Sequence, residues 1–157
     1  GLLSNPANTP KFAMLGILFT RKFIIHCYGW AAALAPFYIK QAYNDEPSFR
    51  DAKVVMEVSP KEFQRDLGAD SAKFVEYKDA HYADIADICG EAYGHTELEK
   101  IGVKFADGVI IENKDVDPSI IDYAKSLGLP VLDPVEGDSF REAYSAFYQQ
   151  IAEASNN

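Results

Sequence analysis

Histidine, tyrosine and tryptophan side chains gather around a glycine in the segment that contains His26, Tyr28, Gly29 and Trp30. The apolar run before this segment predicts a strand over 23–27, and the apolar periodicity after it predicts a helix over 31–43. In open α/β sheets, ligands bind just outside the carboxyl ends of the strands. Aromatic rings with a polar group suit a partly hydrated ligand, so this glycine turn favours a sugar-binding site.

Some of these residues also have a purely structural interpretation. For His26, a position facing the ligand and a hydrogen bond inside the loop before the helix agree equally well with the pattern. Trp30 begins an apolar helix, and for this residue packing in the core is favoured over ligand contact. We therefore predict His26, Tyr28, Gly29 and Trp30 as substrate-binding residues, and the pattern identifies no catalytic residue among them.

Other polar residues near predicted strand ends give weaker indications of chemistry. Glu112, Asp115, Asp117 and Asp133 have no spacing that singles out a glycosidase pair, so we interpret them as solvated turn residues. Ser59 is better explained as a helix cap than as a nucleophile, because the sequence contains no G-x-S-x-G motif.

Cofactor and metal motifs are missing from the sequence. It contains neither G-x-G-x-x-G nor G-x-x-x-x-G-K-[ST], so we expect no dinucleotide cofactor and no P-loop nucleotide. Cys27 and Cys89 are isolated, which argues against a zinc site or a disulfide framework and favours buried thiols in a reducing compartment. His95 lies in a Gly-His-Thr sequence and is predicted to be a surface residue rather than a metal ligand.

Composition limits the classes of partner. The chain has 157 residues and a formal net charge of −9, which argues against nucleic acid and against an anionic membrane surface. No apolar stretch approaches the roughly 20 residues that cross a bilayer. These features predict a soluble, cytoplasmic protein.

Strand and helix patterns alternate along the chain. Strands are predicted over 23–27, 53–58, 108–112 and 130–133, and helices over 31–43, 60–67, 79–89, 97–106, 118–127 and 139–154. The last helix is expected to bury a stripe formed by Phe140, Tyr144, Phe147, Tyr148 and Ile151. The alternation predicts an α/β fold of three layers, a Rossmann-like domain with a mainly parallel sheet and helices on both faces. We expect a single domain over 1–157, with 1–11 as a poorly ordered lead-in and a helix over 12–20.

The segment around the glycine turn also carries a family resemblance. Residues 24–40 resemble the segment of bacterial glycogen and starch synthases that contains their H-x-H-D-W motif. Residues 41–55, which include the run DEPSFRDAK, are similar almost residue for residue to a short Bacteroidetes-type form of these enzymes. Residues 104–110 and 121–124 resemble the later part of that form.

This resemblance implies a retaining glucosyltransferase with two Rossmann-like domains. Such an enzyme transfers glucose from ADP-glucose or UDP-glucose to an α-1,4-glucan, and this chain would form part of the N-terminal, acceptor-side domain. His26 matches the first histidine of the motif and Trp30 its tryptophan, while Tyr28 and Gly29 replace the second histidine and the aspartate.

Two parts of the family's catalytic apparatus have no counterpart in these residues. They are the K-x-G-G-L loop that contacts the donor phosphates and the second domain that supplies cations to the leaving group. Because phosphate stabilisation provides much of the rate of such transfers, we expect the chain to be inactive without a second domain or subunit. The alternatives are a non-catalytic domain that binds glucan or docks to a complete synthase, and an unrelated flavodoxin-like domain that binds a small molecule.

Overall fold

The computed structural model describes residues 23–154, and a single four-stranded sheet lies within them. The strands β1 (Ile24–Tyr28), β2 (Lys53–Val58), β3 (Gly108–Ile111) and β4 (Val131–Leu132) follow one another in space in the order of the chain. Each strand pairs in parallel with its neighbour. The predicted α/β, Rossmann-like fold with a parallel sheet is therefore confirmed.

The α-helices of this part of the chain are α1 (Leu34–Gln41), α2 (Pro47–Arg50), α3 (His95–Lys104), α4 (Pro118–Ser126) and α5 (Phe140–Glu153). Helix α4 begins and ends as its local chemistry predicts. The Asp117 carboxylate accepts a hydrogen bond from the Ser119 N–H at 2.9 Å, and Gly128 follows the helix with a φ of 72°. The helix predicted over 31–43 starts as a 3-10 turn and becomes α-helical only at Leu34, because Pro36 fits the first turn of an α-helix.

The helices cover both faces of the sheet. Alternate strand residues point to opposite faces, and Met56 and Val109 face a core that also contains buried residues of α1, α3 and α4. Val55 and Ile110 face the other side, where Phe147 and Ile151 of α5 pack against them. The predicted layers are thus present, with α5 alone on its face among the described helices.

The predicted stripe of α5 is buried only in part. Phe147 and Ile151 are buried, and Tyr144 and Tyr148 are half-buried beside them. Phe140 is 45% exposed, so its prediction as a core residue is wrong. It is the first residue of the helix, and its ring packs on the edge of Tyr144 instead of the sheet.

The helix predicted over 60–67 is not formed. The Ser59 hydroxyl donates to the Glu99 carboxylate at 2.9 Å instead of accepting N–H groups from a following turn. The Glu62 N–H, which a local cap would have bound, donates to His95 Nδ1 at 3.4 Å. Tertiary partners on α3 have therefore replaced the local capping interactions.

The helix predicted over 79–89 is reduced to a 3-10 turn at Tyr82–Asp84. The Asp84 carbonyl, which a continuing helix would use, accepts a hydrogen bond from Lys104 Nζ at 2.5 Å. Helix α3 also begins two residues earlier than predicted, because Glu97 accepts the N–H of Gly94 at the N-cap at 2.9 Å. The predicted lead-in over 1–11 and the predicted helix over 12–20 lie outside the described residues.

Candidate functional site at the carboxyl edge of the sheet

The polar side chains at the carboxyl edge of the sheet come from three strands. The strand register places Tyr28 beside Glu57, and the two-residue period puts His26 and Tyr28 on the same face of β1. Glu112 follows the last residue of β3 and reaches across the end of β2 to accept the Tyr28 hydroxyl at 2.8 Å. This face is the one that α5 covers.

His26 is held through both of its ring nitrogens. Its Nε2 lies 2.7 Å from Glu57 Oε1, and its Nδ1 is hydrogen-bonded to the Tyr148 hydroxyl. The tautomer that donates from Nε2 leaves Nδ1 to accept the tyrosine proton, which satisfies both contacts. About a quarter of the side chain remains exposed (26%), so part of the imidazole is accessible to a ligand.

The second helix turn of α5 completes this network. The Tyr144 hydroxyl donates to Glu57 Oε2 at 3.0 Å, and its ring stacks on the imidazole of His26 at a centroid distance of 6.1 Å. Burial together with the Glu57 charge raises the pKa of Tyr144 well above its usual value, so its hydroxyl stays a donor. The buried carboxylate of Glu57 therefore accepts hydrogen bonds from β1 and α5 at once.

Tyr28 is the most exposed aromatic residue of this edge. Its side chain is 49% exposed, and its hydrogen bond to Glu112, with a smaller effect of burial, raises its pKa to about 12. The phenol therefore remains protonated at neutral pH and offers an open ring face with one fixed polar edge.

Gly29 and Trp30 form the turn into α1. Gly29 has a φ of 73°, a conformation that disfavours side chains, and its N–H donates to the Glu57 carbonyl at 3.0 Å. Trp30 is 36% exposed, packs on the edge of Phe63 at 4.9 Å and directs Nε1 toward Glu62 at 3.4 Å. The prediction that favoured a core position for Trp30 is therefore wrong.

Behind this turn lies a buried polar cluster of Ser59, His95 and Glu99, none of which is more than 1% exposed. The Ser59 N–H and hydroxyl both donate to the Glu99 carboxylate, at 3.0 and 2.9 Å. His95 Nε2 lies 3.2 Å from the Ser59 carbonyl and 3.3 Å from Glu99 Oε1. The surface position predicted for His95 and the cap role predicted for Ser59 are both wrong.

The geometry of this cluster indicates a structural role and not that of a nucleophilic site. Burial is the main cause that raises the pKa of Glu99 to about 7, and the hydrogen bonds from Ser59 oppose it. Ser59 is only 1% exposed, and both its hydroxyl and its N–H are occupied by the Glu99 carboxylate, so the hydroxyl cannot reach a substrate as a nucleophile. The i, i+4 spacing of His95 and Glu99 could have revealed that both lie on one face of a helix.

The carboxylates that follow strands β3 and β4 differ in their surroundings. Asp115 and Asp133 are exposed, as predicted for turn residues, and Asp117 caps α4. Glu112 is half-buried and bound to Tyr28, a contact that the sequence did not indicate. Cys27 and Cys89 are free and buried, as predicted.

The arrangement presents two open aromatic rings beside two carboxylates. Tyr28 lies next to Glu112, and Trp30 lies next to Glu62. Aromatic faces accept the apolar side of a ring-shaped ligand, and carboxylate oxygens accept its hydroxyl protons. Glu57, Tyr144 and Tyr148 were missed at the sequence level, because they meet His26 only through the fold.

Comparison with known proteins identifies one family. The family model described as the starch synthase catalytic domain matches residues 12–122. No curated protein and no solved structure matched the chain significantly. The matched region contains β1, β2, β3 and the glycine turn, whereas α5 with Tyr144 and Tyr148 lies beyond it. None of the helices described over 23–154 is long and apolar enough to cross a membrane.

Proposed function

Because the chain belongs to the starch synthase catalytic domain family, we propose that it takes part in glucosyl transfer to an α-1,4-glucan. In this proposal the carboxyl edge of the sheet is the acceptor side of the site. Tyr28 and Trp30 stack on glucose rings, and Glu112 and Glu62 accept sugar hydroxyl protons. Gly29, with its φ of 73°, makes the turn between these two aromatic residues.

The exposure of Tyr28 and Trp30 at the strand ends is the observation that carries the proposal. An aromatic side chain gains by burial, yet these rings are 49% and 36% exposed. Both hold a hydrogen bond to a carboxylate, which restrains the ring and leaves part of its surface exposed. Rigid rings of this kind bind a flat apolar surface at a low cost in conformational entropy.

The donor in this proposal is ADP-glucose or UDP-glucose, and its diphosphate is bound by groups outside these 157 residues. The sequence has no K-x-G-G-L loop, and its formal charge of −9 does not favour a diphosphate. A second domain or subunit would therefore supply the cations for the leaving group. We further propose a cytoplasmic location, which the two free, buried cysteines support.

The fluorescence of Trp30 tests the acceptor site, because this is the only tryptophan in the sequence. Titration with maltoheptaose should change its emission in a saturable way, and the Tyr28→Ala variant should weaken the apparent affinity about tenfold. A flat response of the wild-type protein would refute the acceptor site. Incubation with ADP-glucose or UDP-glucose and glycogen should yield no transfer by the chain alone.

The second candidate function is a non-catalytic domain that binds glucan or docks to a complete synthase. The engagement of both His26 nitrogens favours it, since neither nitrogen is free to exchange a proton with a substrate. The two candidates differ when a complete synthase is added. If this chain takes part in catalysis, the transfer rate of the mixture should fall when Tyr28 or Trp30 is replaced. If it is a docking domain, it should bind the synthase, and the transfer rate should be the same with these variants as with the wild-type chain.

A further inference from the structure

An open groove at the other end of the molecule is lined largely by aromatic residues. Its volume is about 460 Å³, and its walls are Tyr38, Tyr43, Phe74, Glu76 and Tyr77. Tyr38 belongs to α1, and Tyr43 follows the end of that helix. Phe74 lies in the 3-10 turn over Ala69–Val75, and Glu76 and Tyr77 follow that turn. The glucosyl-transfer site described above uses none of them.

The most apolar residue of this groove is not buried in the core. Phe74 is 87% exposed, although Ala72 and Val75 on the same turn are buried in the core. Tyr77 is 48% exposed, while Ala80, its partner in a two-residue bridge, is fully buried. The loop is therefore anchored by its small apolar residues, and its rings are left to face outward.

The walls of the groove are fixed before any ligand arrives. The Tyr38 hydroxyl donates to the Val75 carbonyl at 2.9 Å and ties the loop to α1. The turn between Tyr77 and Ala80 is closed by hydrogen bonds in both directions, at 3.0 and 2.9 Å. Within it Lys78 adopts a φ of 52°, which is unusual for a residue with a side chain, and its ammonium group lies 4.8 Å from the Tyr43 ring centre.

The polar groups of the groove match an uncharged ligand that carries hydroxyl groups. The rings of Tyr43 and Tyr77 lie 6.0 Å apart between their centres, and the Lys78 ammonium group lies within 6 Å of both, at 4.8 and 5.8 Å. The one carboxylate, Glu76, is bound to His81 at 2.9 Å, and Lys78 offers the opposite charge nearby. Neither sign of charge dominates, so an anionic polymer gains nothing here, whereas a ligand with apolar faces and hydroxyl edges fits both kinds of surface.

The groove is separate from the acceptor site at the strand ends. Trp30 precedes α1 and Tyr43 follows it, so the helix separates the two regions along its axis. The eight residues of α1 correspond to about 12 Å at 1.5 Å per residue. A short oligosaccharide bound at the strand ends would leave this groove empty, whereas a polymer could occupy both.

We propose that this groove is a second binding site for the α-glucan, distant from the site of transfer. The inference rests on the proposed function for the identity of the polymer and on the aromatic groove for the place of binding. Phe74 and Tyr77 form the stacking surface, with Tyr43 at its back. Since both sites bind one polymer, occupation of the groove raises the effective concentration of glucan chains at the strand ends.

The test compares variants in gels that contain glycogen, in which binding slows migration. Phe74→Ala and Tyr77→Ala should each weaken the apparent affinity for glycogen by about fivefold to tenfold. Phe74→Leu keeps most of the apolar surface but removes the flat ring, and it should lose affinity to a similar extent. Leu127→Ala, which removes an exposed apolar side chain outside the groove, is the matched control and should migrate like the wild type.

The same variants separate this proposal from the proposed function. Titration of the strand-end site with maltose, which is too short to reach both sites, should give a Trp30 fluorescence response that Phe74→Ala leaves unchanged. A flat Trp30 response together with loss of glycogen affinity in the groove variants would refute the acceptor site and leave the groove standing. Unchanged glycogen affinity in Phe74→Ala and Tyr77→Ala would overturn the groove proposal alone.

Two further outcomes would identify a different occupant and overturn the proposal. If Phe74→Leu binds glycogen like the wild type while Phe74→Ala does not, the binding depends on general apolar contact and not on ring stacking. If sedimentation shows a wild-type dimer that Phe74→Ala converts to a monomer, the groove binds a second copy of this chain. Thermal unfolding of each variant checks that the loop substitutions have left the fold intact.

Discussion

His26 and Glu57 form the central contact of the candidate site, with Nε2 of the imidazole 2.7 Å from Oε1 of the carboxylate. The contact joins neighbouring strands and is covered by α5, whose Tyr144 donates to the second oxygen of Glu57. Glu57 is only 8% exposed. Its carboxylate is therefore a buried acceptor on which β1 and the last helix both depend.

Replacing Glu57 with alanine should lower the free energy of unfolding by about 1–3 kcal/mol, because partly buried donors on His26 and Tyr144 would lose their acceptor. Glu57→Gln keeps one acceptor oxygen and should cost less. Urea unfolding at neutral pH, followed by circular dichroism, measures the difference. Equal stability of the alanine variant and the wild type would show that water replaces the carboxylate at no cost.

Glu99 should make stability depend on pH. Its pKa is raised from 4.5 to about 7 in the folded protein, so the native state binds more protons than the unfolded state between these two values. The free energy of unfolding should therefore fall as the pH rises from about 5 to 7, by up to roughly 3 kcal/mol, and this contribution should be constant above that range.

Glu99→Gln provides the matched control for this pH dependence, because it keeps the shape and one acceptor for Ser59 but cannot ionise. The hydrogen bond to Glu76 raises the pKa of His81, so this residue also makes the free energy of unfolding fall as the pH rises. Only the difference between wild type and variant therefore isolates Glu99. Chemical denaturation at pH 5, 6, 7 and 8 measures both proteins. If the free energy of unfolding varies with pH in the same way in both proteins, Glu99 is ionised throughout this range.

Gly102 allows α3 to lie close to β2. A methyl group at this position would come within 2.7 Å of Met56 Sδ and 3.1 Å of the Ala33 carbonyl oxygen. Alanine favours the helix by about 1 kcal/mol, but the overlap should reverse this gain and make Gly102→Ala destabilising by about 1–3 kcal/mol.

The Met56→Ala background tests the cause of that effect. Removing the sulfur should relieve part of the overlap, so the double variant should be more stable than the sum of the two single changes predicts. Thermal unfolding of the four proteins completes the cycle. Additive effects would show that the destabilisation comes from contact with the Ala33 carbonyl and from the helix backbone, and not from contact with the methionine.

The features that the sequence predicted correctly depend on interactions between near neighbours. The bounds of β2 follow from a short apolar run, and the start of α4 follows from Asp117 and Pro118 beside each other in the chain. The family could be recognised in the same way, because the residues around Gly29 are contiguous. The parallel sheet follows from the alternation of such local elements.

The features that the sequence could not predict depend on partners far away in the chain. Ser59 and Glu62 have the spacing of a helix start, yet Glu99 and His95, more than thirty residues later, bind their polar groups and no helix forms. Trp30 has the pattern of a core residue, but its exposure depends on where the loop with Phe63 lies. A competing long-range hydrogen bond leaves no trace in local spacing.

The sequence by itself determined the strands, their order, several of the helices and the family, since propensity, capping and apolar periodicity act over a few residues. Only the tertiary structure decided what surrounds His26, because Glu57 is 31 residues away and Tyr148 is 122 residues away. The packing of α5 over the sheet brings these groups together. The sequence therefore located the candidate site, and the fold determined which of its side chains are held in place and which remain open to a ligand.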